Sequence, residues 1–139
     1  MIVYFAAPLF TAAERAWNAE VVADLRRALA PVMLSVPQEF CAGFDADGGP
    51  DRFAGIYRAC VDHLERADAV VAVLDGPDVD SGTAWEVGFA VARGKPVIGL
   101  RTDWRPAEDG AANCMLTRGC VAIVADAAAA AARLRTIFP

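Results

Sequence analysis

The chain is predicted to fold as one α/β domain on a five-stranded, doubly wound parallel sheet with helices on both faces. Three observations carry this expectation. Five short apolar segments alternate with helix-like segments along 139 residues, the pattern that parallel β–α–β crossovers produce. The segment 69–74, Ala-Val-Val-Ala-Val-Leu, is apolar without alternation, as a strand covered on both faces must be. Polar, glycine-bearing loops follow the apolar segments, where open sheets of this kind bind ligands. The length suits one domain, 1–139, and no repeat or linker divides it.

The elements follow in order. Ile2–Ala6 reads as a buried strand. Thr11-Ala-Ala-Glu14 is a capping box opening a helix that runs to about Ala30. Trp17, Val21, Leu25 and Leu29 form its buried stripe. Val32–Val36 is the second strand, and residues 37–52, rich in Gly, Asp and Pro, form a long loop with a functional role. A helix from about Phe53 to Arg66 leads into the central strand, Ala69–Leu74. The next helix spans about Ser81 to Arg93, with Gly94 as its C-terminal stop. Pro96–Leu100 and Val121–Val124 complete the sheet, and Asp126 caps an alanine-rich final helix to Phe138.

Composition excludes several function classes. The net charge of −5, with one lysine (Lys95) and scattered arginines, argues against nonspecific nucleic-acid binding. No apolar run approaches the ~20 residues that span a bilayer, and residues 1–10 lack the basic start of a signal peptide. The cysteines (Cys41, Cys60, Cys114, Cys120) show no CxxC or Cys/His spacing, so they are expected to be reduced thiols in a cytoplasmic protein, with no zinc site. His63 is the only histidine, which leaves little material for a histidine triad.

The densest chemistry lies at Asp75-Gly-Pro-Asp-Val-Asp-Ser-Gly-Thr-Ala-Trp-Glu86. A glutamate on the first turns of a helix that follows a buried strand is a candidate nucleophile or acid/base. Gly82, Ala84, Gly88 and Ala90 clear space around it, and Asp80 adds a second carboxylate. Paired carboxylates equip a site for glycosyl transfer. Asp78, Asp80 and Ser81 also suit simple helix capping, which spacing alone favours. The loop could hold Mg²⁺, but the phosphate cradle G-x-x-x-x-G-K-[ST] is absent. On the same rim, Gln38, Glu39 and Cys41 follow strand two, and Arg101, Asp103, Trp104 and Arg105 follow strand four. Phe44 and Trp104 could stack on a base, whereas Trp17 and Trp85 suit the core. Arg101 and Arg105 could hold a phosphate, or pair with Asp103 or Glu108.

Three blocks resemble one family. Residues 2–11, Ile-Val-Tyr-Phe-Ala-Ala-Pro-Leu-Phe-Thr, are similar to the opening I-Y-x-A-G-P-L-F-T. Residues 80–90, Asp-Ser-Gly-Thr-Ala-Trp-Glu-Val-Gly-Phe-Ala, are similar to D-S-G-T-x-x-E-x-G-x-A. Arg101-Thr-Asp-Trp-Arg105 with Asn113-Cys-Met115 resembles R-x-D-[FW]-R … N-x-M. The family is the nucleoside 2-deoxyribosyltransferases, with related nucleoside and nucleotide N-glycosidases. The resemblance implies a flavodoxin-like fold and no cofactor or metal. It implies Glu86 as the nucleophile forming an ester at C1′, Asp80 orienting the nucleoside and Tyr4 holding the nucleophile. Ala7, Pro8, Phe10, Cys60, Ser81 and Gly82 are expected to line the substrate site. Asn113 and Met115 are expected to reach a partner subunit's site, so the implied partners are a nucleoside or nucleotide, a free base and further copies of the chain.

Two positions depart from the family pattern. Ala7 stands where the opening has Gly, and Ile56-Tyr-Arg-Ala-Cys60 places a cysteine where I-Y-x-A-D has an aspartate near the base. Asp62 lies about 200° further around the helix and cannot simply substitute.

Overall fold

The computed structural model describes residues 1–44 and 51–139. The strands are β1 (Ile2–Ala6), β2 (Met33–Ser35), β3 (Ala69–Val73), β4 (Val97–Leu100) and β5 (Ala122–Val124). The helices are α1 (Ala12–Leu29), α2 (Pro37–Phe40), α3 (Arg52–Arg66), α4 (Ser81–Ala92), α5 (Cys114–Gly119) and α6 (Ala127–Ile137). All strand pairs are parallel, in the order β2-β1-β3-β4-β5. That is the flavodoxin-like doubly wound order, whose ligand crevice opens at the C-terminal ends of β1 and β3.

Strand alternation decides what faces the site. Val3, Phe5, Val71 and Val73 point to one face, under Val22, Leu25 and Leu29 of α1 and Ala130, Ala131 and Leu134 of α6. Tyr4, Ala6, Val70 and Ala72 point to the other, under Leu64 of α3 and Val87 and Ala90 of α4. The period of two thus sends Tyr4 toward α3 and α4. The sheet must also lie close to its cover. A Cβ on Gly99 would meet Leu74 Cδ1 at 2.6 Å and Cys120 Sγ at 3.2 Å, so only glycine fits there.

The expected caps are in place. Thr11 and Glu14 form a complete capping box on α1, Asp126 caps α6, and Gly94 takes φ +69° just beyond α4. Three expectations need correction. Residues 37–52 are not wholly loop, because Pro37–Phe40 winds into the short helix α2, with a proline preset in its first turn. Residues 45–50 of that segment lie outside the described residues. The stretch between β4 and β5 also contains α5, which Asn113 starts by accepting the Met115 amide at 3.0 Å. Trp85 is not a core residue, being 46% exposed, whereas Trp17 is partly buried and packs against the core. Among the described residues, no helix is long and apolar enough to cross a membrane.

Candidate active site

Tyr4 and Glu86 meet across 82 positions of sequence. The fully buried Tyr4 hydroxyl donates to Glu86 Oε1 at 2.5 Å. Burial pushes the Glu86 carboxyl up to about 7; the Tyr4 hydrogen bond opposes this and the Asp80 charge adds to it. Burial, followed by the neighbouring Glu86 and Cys60, holds Tyr4 far above its usual range, so it stays a proton donor. This is one carboxylate, poised near neutrality and seated by one hydroxyl.

Asp80 does both things that its position allowed. Its Oδ2 accepts the Thr83 amide at 2.8 Å and the Thr83 hydroxyl at 3.0 Å, which caps α4. It also stands close enough to Glu86 to raise that group's pKa. A cap at the helix start is what brings the second carboxylate near a residue on the second turn. Cys60, on α3, completes the cluster. It is hydrogen-bonded to Tyr4, and burial pushes its thiol up. Asp62 is exposed, as the helical angle requires.

The other expected site residues divide. Pro8 lines a cleft of about 350 Å³ beside Asn18, Val73, Asp75 and Gly76, at the ends of β1 and β3. Ala7 packs against the α1 face. Ser81 and Gly82 are exposed on the first turn of α4, and Phe10 is 72% exposed. Asn113 and Met115 are not brought to Glu86. They line a separate cavity of about 560 Å³ along Ala84, Val87, Gly88 and Val91, a face of α4 that Glu86 does not share. Phe44 lies on Gly55 of α3, where a Cβ would come within 2.8 Å of its ring, and Trp104 is 91% exposed.

One supporting role was not anticipated, and of the two alternatives for the arginines the structure shows pairing within the protein. Buried Asn18 donates to the Pro8 carbonyl at 2.8 Å and holds the turn after β1. A polar residue inside the otherwise apolar stripe of α1 was the available signal. Arg101 and Asp103 are structural. Buried Arg101 donates to the carbonyls of Leu74, Gly76 and Arg105, while Arg105 grips Asp103 with two nitrogens and holds its carboxyl well below the usual range. Asp75 accepts the Thr102 and Asp103 amides at 2.6 and 2.9 Å, so the loops after β3 and β4 are stitched together. Both arginines are therefore engaged by the protein. Arg101→Met leaves three carbonyls short of a donor and should cost roughly 3 kcal/mol. A urea midpoint equal to that of the wild type would refute the scaffold role. Among the described residues, no group of three or more His, Cys, Asp or Glu is placed to hold a metal ion.

The half-buried carboxylate seated by a tyrosine lies at the switch point of a 2-1-3-4-5 sheet, where α/β proteins of this order bind small ligands. The sequence model of the family described as nucleoside 2-deoxyribosyltransferase matches residues 3–131, and the chain belongs to that family. Its general chemistry is exchange or cleavage of an N-glycosidic bond. A conserved protein from Enterococcus faecalis V583 superposes with a TM-score of 0.86 at 27% identity, over 99% of both chains. A 2-deoxyribosyltransferase from Leishmania mexicana gives 0.69 at 25% identity, over 99% of this chain and 97% of the other. A 2-deoxyribosyltransferase from Bacillus psychrosaccharolyticus gives 0.79 at 23% identity, over 94% and 90%, a likeness of fold. An uncharacterized protein of Schizosaccharomyces pombe (strain 972) is 44% identical over 46 residues, which are 30% of this chain; the match spans about a fifth (22%) of that relative's length.

Proposed function

We propose that the chain transfers a 2-deoxyribosyl group from one nucleobase to another, or to water, through a covalent ester on Glu86. The observation that carries this reading is the Tyr4–Glu86 hydrogen bond at 2.5 Å. It aims one carboxylate and leaves it ionisable near neutral pH. Glu86 attacks C1′ as the C1′–N bond breaks and the base departs. A second base or water then attacks C1′ from the opposite side and releases Glu86. Two inversions give net retention. Asp80 orients the sugar, and the residues in place require no cofactor. The reaction suits nucleotide salvage in the cytoplasm.

The test is incubation with a panel of deoxynucleosides and deoxynucleoside 5′-monophosphates, with and without an acceptor base, followed by chromatography. Base exchange supports transfer, and free base alone supports hydrolysis. No turnover of any member would leave a nucleoside-binding module. Cleavage confined to monophosphates would favour a nucleotide N-glycosidase. Two observations weigh against that alternative: Asp80 puts a negative charge near the site, and Arg101 and Arg105 are taken up by carbonyls and Asp103.

The nucleophile must be ionised. With its carboxyl at about 7, kcat/KM should rise about tenfold per pH unit below that value and flatten above it. A flat profile from pH 5 to 8 would remove Glu86 as the titrating group.

The active species is a homodimer or larger oligomer. Met115 is 78% exposed, and the cavity it lines with Asn113 lies away from its own Glu86, which supports donation of both residues to a partner's site. Sedimentation at micromolar concentration should show no active one-chain species. Full activity in a purely monomeric sample would rule out the shared site.

A further inference from the structure

Cys60 has a second neighbour that glycosyl transfer leaves unused. Phe40, next to Cys41, stacks on His63, one turn beyond Cys60 on α3, with ring centroids 3.9 Å apart, which sets the end of α2 on α3; the Cys60 thiol there neighbours both the Tyr4 hydroxyl and the Cys41 thiol. Cys41 ends α2, Cys60 lies within α3, and both are half-buried thiols outside any disulfide. Two thiols from separate elements therefore meet one contact away from the hydroxyl that seats Glu86. The remaining cysteines have other surroundings. Cys120 packs toward Gly99, and Cys114 sits beside Glu108.

We propose that Cys41 and Cys60 form an oxidation site, closed to a disulfide by a peroxide or by a low-molecular-weight disulfide, and that closure turns the active site off. With hydrogen peroxide, the two thiols lose two protons and two electrons and an S–S bond forms. The O–O bond breaks and two waters leave. With glutathione disulfide, one protein thiolate displaces a glutathione thiolate, and the second protein thiol then displaces the other. Both glutathiones leave reduced.

The consequence follows from distances. A disulfide holds its sulfurs about 2.05 Å apart, closer than two hydrogen-bonded thiols. Closure therefore draws the Cys60 sulfur toward Cys41 and takes its S–H from the Tyr4 environment. Tyr4 loses one of its polar neighbours, and Glu86, which it seats, loses its alignment. This effect on turnover rests on the function proposed above; formation of the bond does not. Burial keeps the Cys60 thiol protonated, which slows exchange, so oxidation should run over minutes to hours.

The full chain would be treated with hydrogen peroxide and, separately, with glutathione disulfide. Thiols would then be counted under denaturing conditions and the cross-links mapped by peptide mass. Two of the four thiols should disappear, a Cys41–Cys60 peptide pair should appear, and a thiol reductant should reverse both. Cleavage should fall about 10²-fold, the cost of misplacing a reacting group by about an ångström. Cys41→Ser should match wild-type cleavage before treatment and retain it afterwards, with Cys41→Ala as a second variant. Four titratable thiols after treatment, a bond joining Cys114 to Cys120, or equal inactivation of wild type and Cys41→Ser would each overturn the proposal. The peptide map needs no turnover. A reduced protein that cleaves nothing would thus count against the proposed function, and the map would still judge the thiol pair.

Discussion

Glu86→Gln is expected to abolish nucleoside cleavage, by about 10⁴-fold or more, the scale seen when a covalent nucleophile is removed. The amide keeps the shape of the side chain and can still accept from the Tyr4 hydroxyl, but it cannot form the ester at C1′. The fold should survive and become more stable at high pH. Burial raises the Glu86 carboxyl from 4.5 to about 7, so between these values the folded protein keeps a proton that the unfolded chain releases. Its contribution to stability therefore falls as pH rises from 4.5 to 7 and is constant above. Glutamine has no such cost. Glu86→Gln should exceed the wild type by about 1–3 kcal/mol at pH 8 and lose that advantage below pH 4.5. Urea titrations at the two pH values, run beside the chromatographic assay, measure both effects. Wild-type turnover by a folded Glu86→Gln protein would end the reading.

Cys60→Asp is expected to act in the opposite direction. A departing base is helped by a proton, and a thiol pushed above its usual pKa by burial is a poor source of one. The reduced wild type should therefore favour bases that leave unaided. An aspartate in the same place would stand close to both Tyr4 and Glu86. Two carboxylates in one half-buried site cannot both ionise freely, so they share a proton near neutral pH. The neutral member can then serve the base while the other attacks C1′. Cleavage of ordinary deoxynucleosides should rise by about 10²-fold, the lower end of what positioned proton transfer contributes. The gain should shrink above pH 8, where both groups are charged. A stably folded Cys60→Asp protein that is no faster on any natural deoxynucleoside would exclude Cys60 as the site of the missing acid.

The local frame of the candidate site could be read from residue types alone. The block from Asp80 to Ala90 announced a helix start carrying a carboxylate, and Thr11 with Glu14 announced the turn from β1 into α1. The short helices were harder, because four residues in α2 and six in α5 are too few to show a period. Only their punctuation, Pro37 and Asn113, signals them. The arginines were ambiguous for another reason. Arg101 and Arg105 have the charge to bind phosphate, and only their partners reveal that they bind the protein itself.

The sequence by itself determined the alternation of strand and helix, the apolar β3 covered on both faces, the caps and the family, because each is written in local pattern. Tertiary structure alone decided the 2.5 Å contact through which Tyr4 seats Glu86, that the capping Asp80 also raises Glu86, that Asn113 and Met115 line a cavity along another face of α4, and that Cys41 neighbours Cys60. These are meetings between elements far apart in the chain. Their geometry comes from sheet order and from which face each residue's period selects, and no stretch of sequence contains either.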